Sequence, residues 1–135
     1  MAREKHQRRF VISALKALDA IAVENPVYPG TPDVNYVEGW IELKSLDKYP
    51  KKLAITKVKI PHYTKQQRAW IMKRHNRGGQ VFLLLQIVNE WFIFDGRYAA
   101  LHVGRVLHEE FKNNALFYWD RKPTKAELLQ CFQKT

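Results

Sequence analysis

The chain has 135 residues, 46% of them hydrophobic and 13% aromatic, too apolar for a disordered polymer and long enough for one domain to bury a core unaided. Its net charge of +10 points to a polyanionic partner, nucleic acid before an anionic membrane, because the lysines and arginines are spread along the chain instead of massed on one amphipathic helix. The lone Cys131 excludes an internal disulfide and a cysteine zinc cage, no stretch nears the ~20 apolar residues of a membrane span, and MAREKHQRRF puts charge where a signal peptide needs its apolar run; a soluble, cytoplasmic protein is expected.

Val11, Ala14, Leu15, Leu18 and Ile21 recur at helical spacing and predict an amphipathic helix from residue 3 to about 20, with Arg3, Arg8 and Arg9 near its start. Residues 22–29 read as a short extended connection broken by Pro26 and Pro29. The stretch GTPDVNYVEGWIELK, residues 30–44, has strand composition on both sides of Glu38-Gly39. A two-residue turn there, with Gly39 supplying positive φ, would pair Tyr36 with Ile41, Asn35 with Glu42, Val34 with Leu43 and Asp33 with Lys44. Val34, Tyr36, Ile41 and Leu43 then share one face, and Asp33, Asn35, Glu42 and Lys44 the other. On spacing alone the polar face reads equally as a solvated surface with a cross-strand Asp–Lys pair worth under ~1 kcal/mol.

Residues 45–52, SLDKYPKK, form a basic loop, and Ile55, Val58 and Ile60 predict extended chain up to Pro61. Thr64 and Gln67 have capping-box spacing for a helix that runs to about Asn76 and stops at Gly78-Gly79. Val81 to Val88 reads as a strand buried on both faces, Asn89-Glu90 as a turn, and Trp91 to Phe94 as a second strand. The rest, about 97–135, reads as a helical extension, with a capping box at Thr124 and Glu127. The order is helix, strands, helix, strands, helices: a single α/β domain with a mixed central sheet flanked by helices. His62, His75, His102 and His108 lack metal-ligand spacing.

Several residues fall together in a recognisable order: Glu4 in the first helix, Gly30 before Pro32-Asp33, Glu42-x-Lys44 on the next strand, Thr64-x-x-Gln67 opening a helix, Trp70 one turn later, and a glycine pair before the apolar strand. Over roughly residues 4–88 this resembles the PD-(D/E)xK nuclease superfamily, in particular its VRR-NUC and Holliday-junction-resolvase branch and the small stand-alone forms found in phages. The resemblance implies a restriction-endonuclease-like αβββαβ core over about 4–95 and metal-dependent hydrolysis of DNA phosphodiesters, with branched DNA or Holliday junctions as substrate and a homodimer as the working form. It also implies Mg2+ (or Mn2+) held by Asp33, Glu42 and the main-chain carbonyl of Leu43. Glu4 would be an outer ligand, with Glu24 as the other candidate for that role. Lys44 would orient the attacking water, and Gln67 would lie beside the lysine and the scissile phosphate.

The chemistry suits these residue types. Charge develops on phosphoryl oxygens during hydrolysis, and a divalent ion with oxygen ligands offsets it. Plainer readings stand beside some of the assignments: Glu4 as a partner of the helix dipole, Gln67 as a capping residue, Trp70 as packing. Lys48, Lys51, Lys52, Arg68, Lys73, Arg74 and Arg77 are candidate phosphate contacts, and the apolar runs at 91–94 and 116–119 are either dimer surface or core. An RNase using the same site, or a binding module without catalysis, are the alternatives. Clustered acids, which repel phosphate, argue against the binding module.

Overall fold

The computed structural model describes residues 2–133. Its six strands form one sheet in chain order: β1 (Ile21–Ala22), β2 (Val34–Tyr36), β3 (Gly39–Leu46), β4 (Gln80–Ile87), β5 (Glu90–Asp95) and β6 (Phe117–Trp119). β3 and β4 run parallel, and each other neighbouring pair is antiparallel. A parallel pair needs a crossover connection. Here it is α2 (Lys65–Asn76), whose N-cap Thr64 and Gln67 form the expected capping box and which ends before Gly78 at φ +87°.

The helices cover both faces. On one, α1 (Ala2–Ala14) and α5 (Lys125–Phe132) bury Val11, Ala14 and Leu128 against Val34, Tyr36, Ile41, Leu43, Leu84 and Ile93. On the other, α2, α3 (Gly96–Leu101) and α4 (His108–Asn114) bury Ile71, Ala99 and Phe111 against Val81, Leu83, Leu85, Phe92 and Phe94. The 91–94 run is therefore core. Among the described residues no helix is long and apolar enough to cross a membrane.

The chain departs from the sequence expectations at several points. α1 ends at Ala14, and the chain tightens into a 3₁₀ turn at Lys16–Leu18 closed by Asp19 in the left-handed region. Residues 55–60 join no strand; the Val58 N–H bonds the Val106 carbonyl at 2.8 Å, and Val58 and Ile60 instead enter the core beside α2 and α3. The C-terminal extension is not all helical, because β6 pairs with β5 and supplies the outer strand that β5 would otherwise lack. The turn into β5 is Val88–Asn89, with Val88 at φ 55°. That conformation is uncommon for a β-branched residue. Val88 is fixed by its N–H on the Leu46 carbonyl at 2.9 Å and by its carbonyl, which accepts from Gln86 Nε2 at 3.0 Å and from the Arg3 guanidinium.

Glu90, at the start of β5, gathers the C-terminal elements. Its carboxylate accepts from Tyr49 at 2.6 Å and Tyr118 at 2.5 Å and meets His108 Nε2 at 2.6 Å. Burial alone would raise its pKa, but these hydrogen bonds outweigh burial and lower it.

The hairpin holds the main correction. Its turn is Val37–Glu38, and Tyr36 pairs with Gly39, Asn35 with Trp40 and Val34 with Ile41. This register is displaced by two residues from the expected one, and a shift of two leaves each side chain on its face. Gly39 is needed for a different reason than positive φ: a Cβ there would lie 2.3 Å from the Gln80 carbonyl oxygen of β4. Gly39→Ala is therefore expected to force β3 and β4 apart and to lower stability by about 1–3 kcal/mol in urea unfolding, in the range of core overpacking. A melt like wild type would show that the sheet yields there at no cost.

Candidate active site

β3 is a central strand, and Glu42 and Lys44 project from it toward the α2 face at 1% and 5% exposure. Ile41 and Leu43 alternate with them into the opposite core. Two ionisable groups thus stand where a buried strand ordinarily carries aliphatic ones, and taking each charge out of water costs several kcal/mol.

Asp33 lies just before β2. The β2–β3 ladder ends at the Val34–Ile41 pair, the chain bends at Asp33, and the Asp33 side chain reaches back to β3 beside Glu42 and Leu43. Asp33 Oδ2 accepts the Leu43 N–H at 2.9 Å, and the Asp33 main-chain carbonyl accepts from Val23 N–H at 2.8 Å. A strand residue points its N–H and C=O the same way, so the Leu43 carbonyl lies on the Asp33 side of β3, past the end of the β2 ladder, and the nearby Pro32 has no N–H to give. The Pro-Asp pair thereby does two things: Asp33 replaces the ladder acceptor, and Pro32 leaves the Leu43 carbonyl without a ladder donor.

The loop ahead of Asp33 is seated on α2. Gly30 has φ +90°, and a Cβ on it would lie 2.4 Å from the Gln66 carbonyl oxygen and 2.8 Å from the Gln67 nitrogen. Only glycine meets both conditions. The loop therefore brings Asp33 and the first turn of α2 to the same end of the sheet.

Glu42 Oε1 is buried with no hydrogen-bond partner. Its pKa is pushed well above the usual glutamate value, first by burial, then by a hydrogen bond with Asp33 and by the Asp33 charge; Lys44 offsets part of this.

Lys44 is fixed from both sides of the sheet. Its Nζ donates to the His62 carbonyl at 2.8 Å and lies 5.8 Å from the centre of the Tyr63 ring. Tyr63 is itself anchored by its hydroxyl to the Ala99 carbonyl at 2.9 Å, with the Arg68 guanidinium 4.0 Å above its ring. From the other face, Gln7 Nε2 of α1 donates to the Lys44 main-chain carbonyl at 3.1 Å. Gln7 is 2% exposed and its Oε1 has no partner. Sequence reasoning missed Gln7, although it stands four residues before Val11 on the same helical stripe, a polar residue at a core position.

Gln67 Oε1 accepts the Thr64 N–H at 2.9 Å, the capping bond, and its amide nitrogen remains free to donate. Trp70 packs edge-on against Trp40 at 5.3 Å, with the Arg74 guanidinium 4.3 Å from its ring centre. Arg68 is held by the Ala100 carbonyl at 3.2 Å and by Tyr63, so it serves the fold; Lys48, Lys51, Lys52, Lys73, Arg74 and Arg77 are exposed. The structure does not bring Glu4 or Glu24 to the acid pair. Glu4 is half-buried on α1, Glu24 is exposed after β1, and among the described residues no three His, Cys, Asp or Glu form a metal-sized group.

Compared with protein-family models and with curated proteins, the chain matches none. The site must be judged on its own chemistry. It holds two facing carboxylates, a main-chain carbonyl without a ladder donor and a positioned ammonium, a set of groups that suits a hard cation beside an anionic substrate.

The raised pKa of Glu42 makes stability depend on pH in a defined direction. Folding favours its protonated form, so this contribution is complete below the ordinary glutamate pKa and is lost as pH rises through the raised one. In cation-free buffer, wild type should lose melting temperature as pH rises above the ordinary glutamate pKa, a loss that Glu42→Gln should not show. Parallel curves for the two proteins would show that Glu42 is ionised throughout.

Proposed function

We propose that the protein is a metal-dependent endonuclease that hydrolyses DNA phosphodiester bonds, with a restriction-endonuclease-like core and the PD-(D/E)xK arrangement of Asp33, Glu42 and Lys44. The observation that carries this reading is the burial of Glu42 and Lys44 on a central strand, with the Asp33 carboxylate beside Glu42 and bonded to the Leu43 N–H between them. Fold stability alone would favour apolar residues at these positions, and a module that only bound DNA would gain nothing from paired acids. The order α1, β1, β2, β3, α2, β4 supports the same reading, since it is the αβββαβ order that the resemblance implies.

The residues present fit a magnesium ion. Glu42 Oε1 is orphaned, Asp33 faces it, and the Leu43 carbonyl lacks a ladder donor. These three would hold the ion, and Glu4 would assist only if α1 or its side chain moved. Bound there, Mg2+ or Mn2+ supplies positive charge against the phosphoryl oxygens and a water of lowered pKa.

The chain's own groups do the remaining work. Asp33 and Glu42 fix one end of the site, because the β2–β3 register and the Asp33–Leu43 bond set their separation. Lys44 has two ammonium protons left after its bond to His62, enough to orient a water and to meet charge on a phosphate oxygen. Gln67 can donate its amide to the phosphate without giving up its capping bond. A homodimer acting on branched DNA in the cytoplasm completes the reading. Leu116, just before β6, and Phe117, its first residue, are exposed and offer an apolar surface for such pairing.

Asp33→Ala, Glu42→Ala and Lys44→Ala should each reduce cleavage by about a thousandfold or more while the protein stays folded by circular dichroism. Magnesium or manganese should support turnover, and calcium should support binding with little cleavage. The assay is cleavage of linear, flap and four-way DNA by protein free of contaminating nuclease. Full activity of Glu42→Ala, or undiminished cleavage in excess chelator, would refute the site.

A further inference from the structure

The segment between β1 and β2 exposes two large apolar side chains: Val27 is 72% and Tyr28 66% exposed. The backbone beneath them is held firmly. Asn25 Oδ1 accepts the N–H groups of Val27 at 3.0 Å and Tyr28 at 3.1 Å, and the Tyr28 carbonyl accepts from Thr31 Oγ1 at 2.7 Å. Gly30 then seats the segment on α2. Among the described residues, the Tyr28 ring stacks on no other ring and its hydroxyl has no partner. An ordered loop that holds an aromatic ring in water has the form of a binding surface.

Tyr28 and Pro29 form one wall of a cleft of about 310 Å³, and Trp70, Lys73, Arg74 and Arg77 of α2 with its C-cap form the other. No acidic residue occurs in α2. Arg74 is engaged over Trp70, whereas Lys73 and Arg77, four residues apart and both exposed, lie on one face. A cleft with an exposed aromatic ring on one side and two exposed cations on the other suits a ligand that is flat and apolar in one part and anionic in another. A nucleotide in a polynucleotide has that chemistry. The cleft adjoins the candidate active site through its own loop: Gly30, three residues before Asp33, packs on Gln66, and Trp70, Lys73 and Arg77 follow Gln66 at helical spacing along α2 and its C-cap.

We infer that this cleft takes an unpaired nucleotide of the substrate strand, its base stacked on Tyr28 and its phosphates against Lys73 and Arg77. A base inside a duplex is covered on both faces by its neighbours, so the ring can reach only a base that has left the stack. The cleft therefore selects tailed, gapped or branched DNA over continuous duplex. The inference rests on the nucleic-acid reading of the neighbouring site, and it deepens that reading by naming what the enzyme recognises.

The test is binding of the full chain, in chelator so that nothing is cut, to a duplex with a short single-stranded tail and to a blunt duplex of equal length. Tyr28→Ala should weaken the tailed complex about tenfold, the scale of one lost base–aromatic stack, and leave the blunt complex unchanged. Tyr28→Phe should bind as wild type, since the ring is kept. A 2-aminopurine in the tail should be quenched by wild type and not by Tyr28→Ala. Equal binding of both DNAs by wild type, binding of neither, or a tailed complex indifferent to Tyr28→Ala would overturn the inference. Binding is read without cleavage, so absence of nuclease activity leaves this test intact. Conversely, cleavage with no quench would keep the nuclease reading and discard the cleft.

Discussion

Each residue of β3, from Gly39 to Leu46, is paired in parallel with β4, and the rest of the molecule is arranged around that pairing. Parallel neighbours cannot be joined by a tight turn, so the chain must leave the sheet after Leu46, cross one face as α2 and return at Gln80. The crossover covers one face, α1 and α5 cover the other, and β3 and β4 are enclosed on both. That enclosure gives Glu42 and Lys44 their character. On an edge strand the same two residues would be solvated and unremarkable; in the centre of the sheet each needs a partner, and the available partners are Asp33, the His62 carbonyl and each other.

Much of this was legible in the sequence because it depends on local rules. The capping boxes at Thr64 and Thr124, the glycine stop of α2 and the doubly buried β4 all follow from short patterns. The faces of the hairpin were legible too, and its register was not. Alternation fixes which side a residue faces but is blind to a slip of two. The choice is made by contacts distant in sequence: Gly39 must admit the Gln80 carbonyl, and Gly30 must admit α2. Asp33 consequently lies beside Glu42 instead of opposite Lys44.

What stayed hidden was mostly tertiary. β6 has good strand composition, but three residues are too few to announce a strand without the open edge of β5 beside them. Gln7 was visible as a polar residue on an apolar stripe, yet only the packed sheet shows that it reaches the Lys44 carbonyl. Glu4, the more obvious acid, stays apart from the acid pair. Glu90 and His108 illustrate the converse: an isolated His-Glu pattern at 108–109 carries nothing, while His108 meets a glutamate eighteen residues away.

The bond from Leu43 to Asp33 has a consequence for how the protein breathes. Amide protons in the middle of a sheet exchange with solvent only when strands separate, and those of β4 should do so at the rate of global opening. The Leu43 amide sits on an equally central strand, but its acceptor is a side chain carried by the loop ahead of β2. Its exchange is expected to follow release of the Asp33 carboxylate instead of separation of β3 from β4. One proton in the core thus keeps time for the site, and hydrogen exchange can read it with no substrate present.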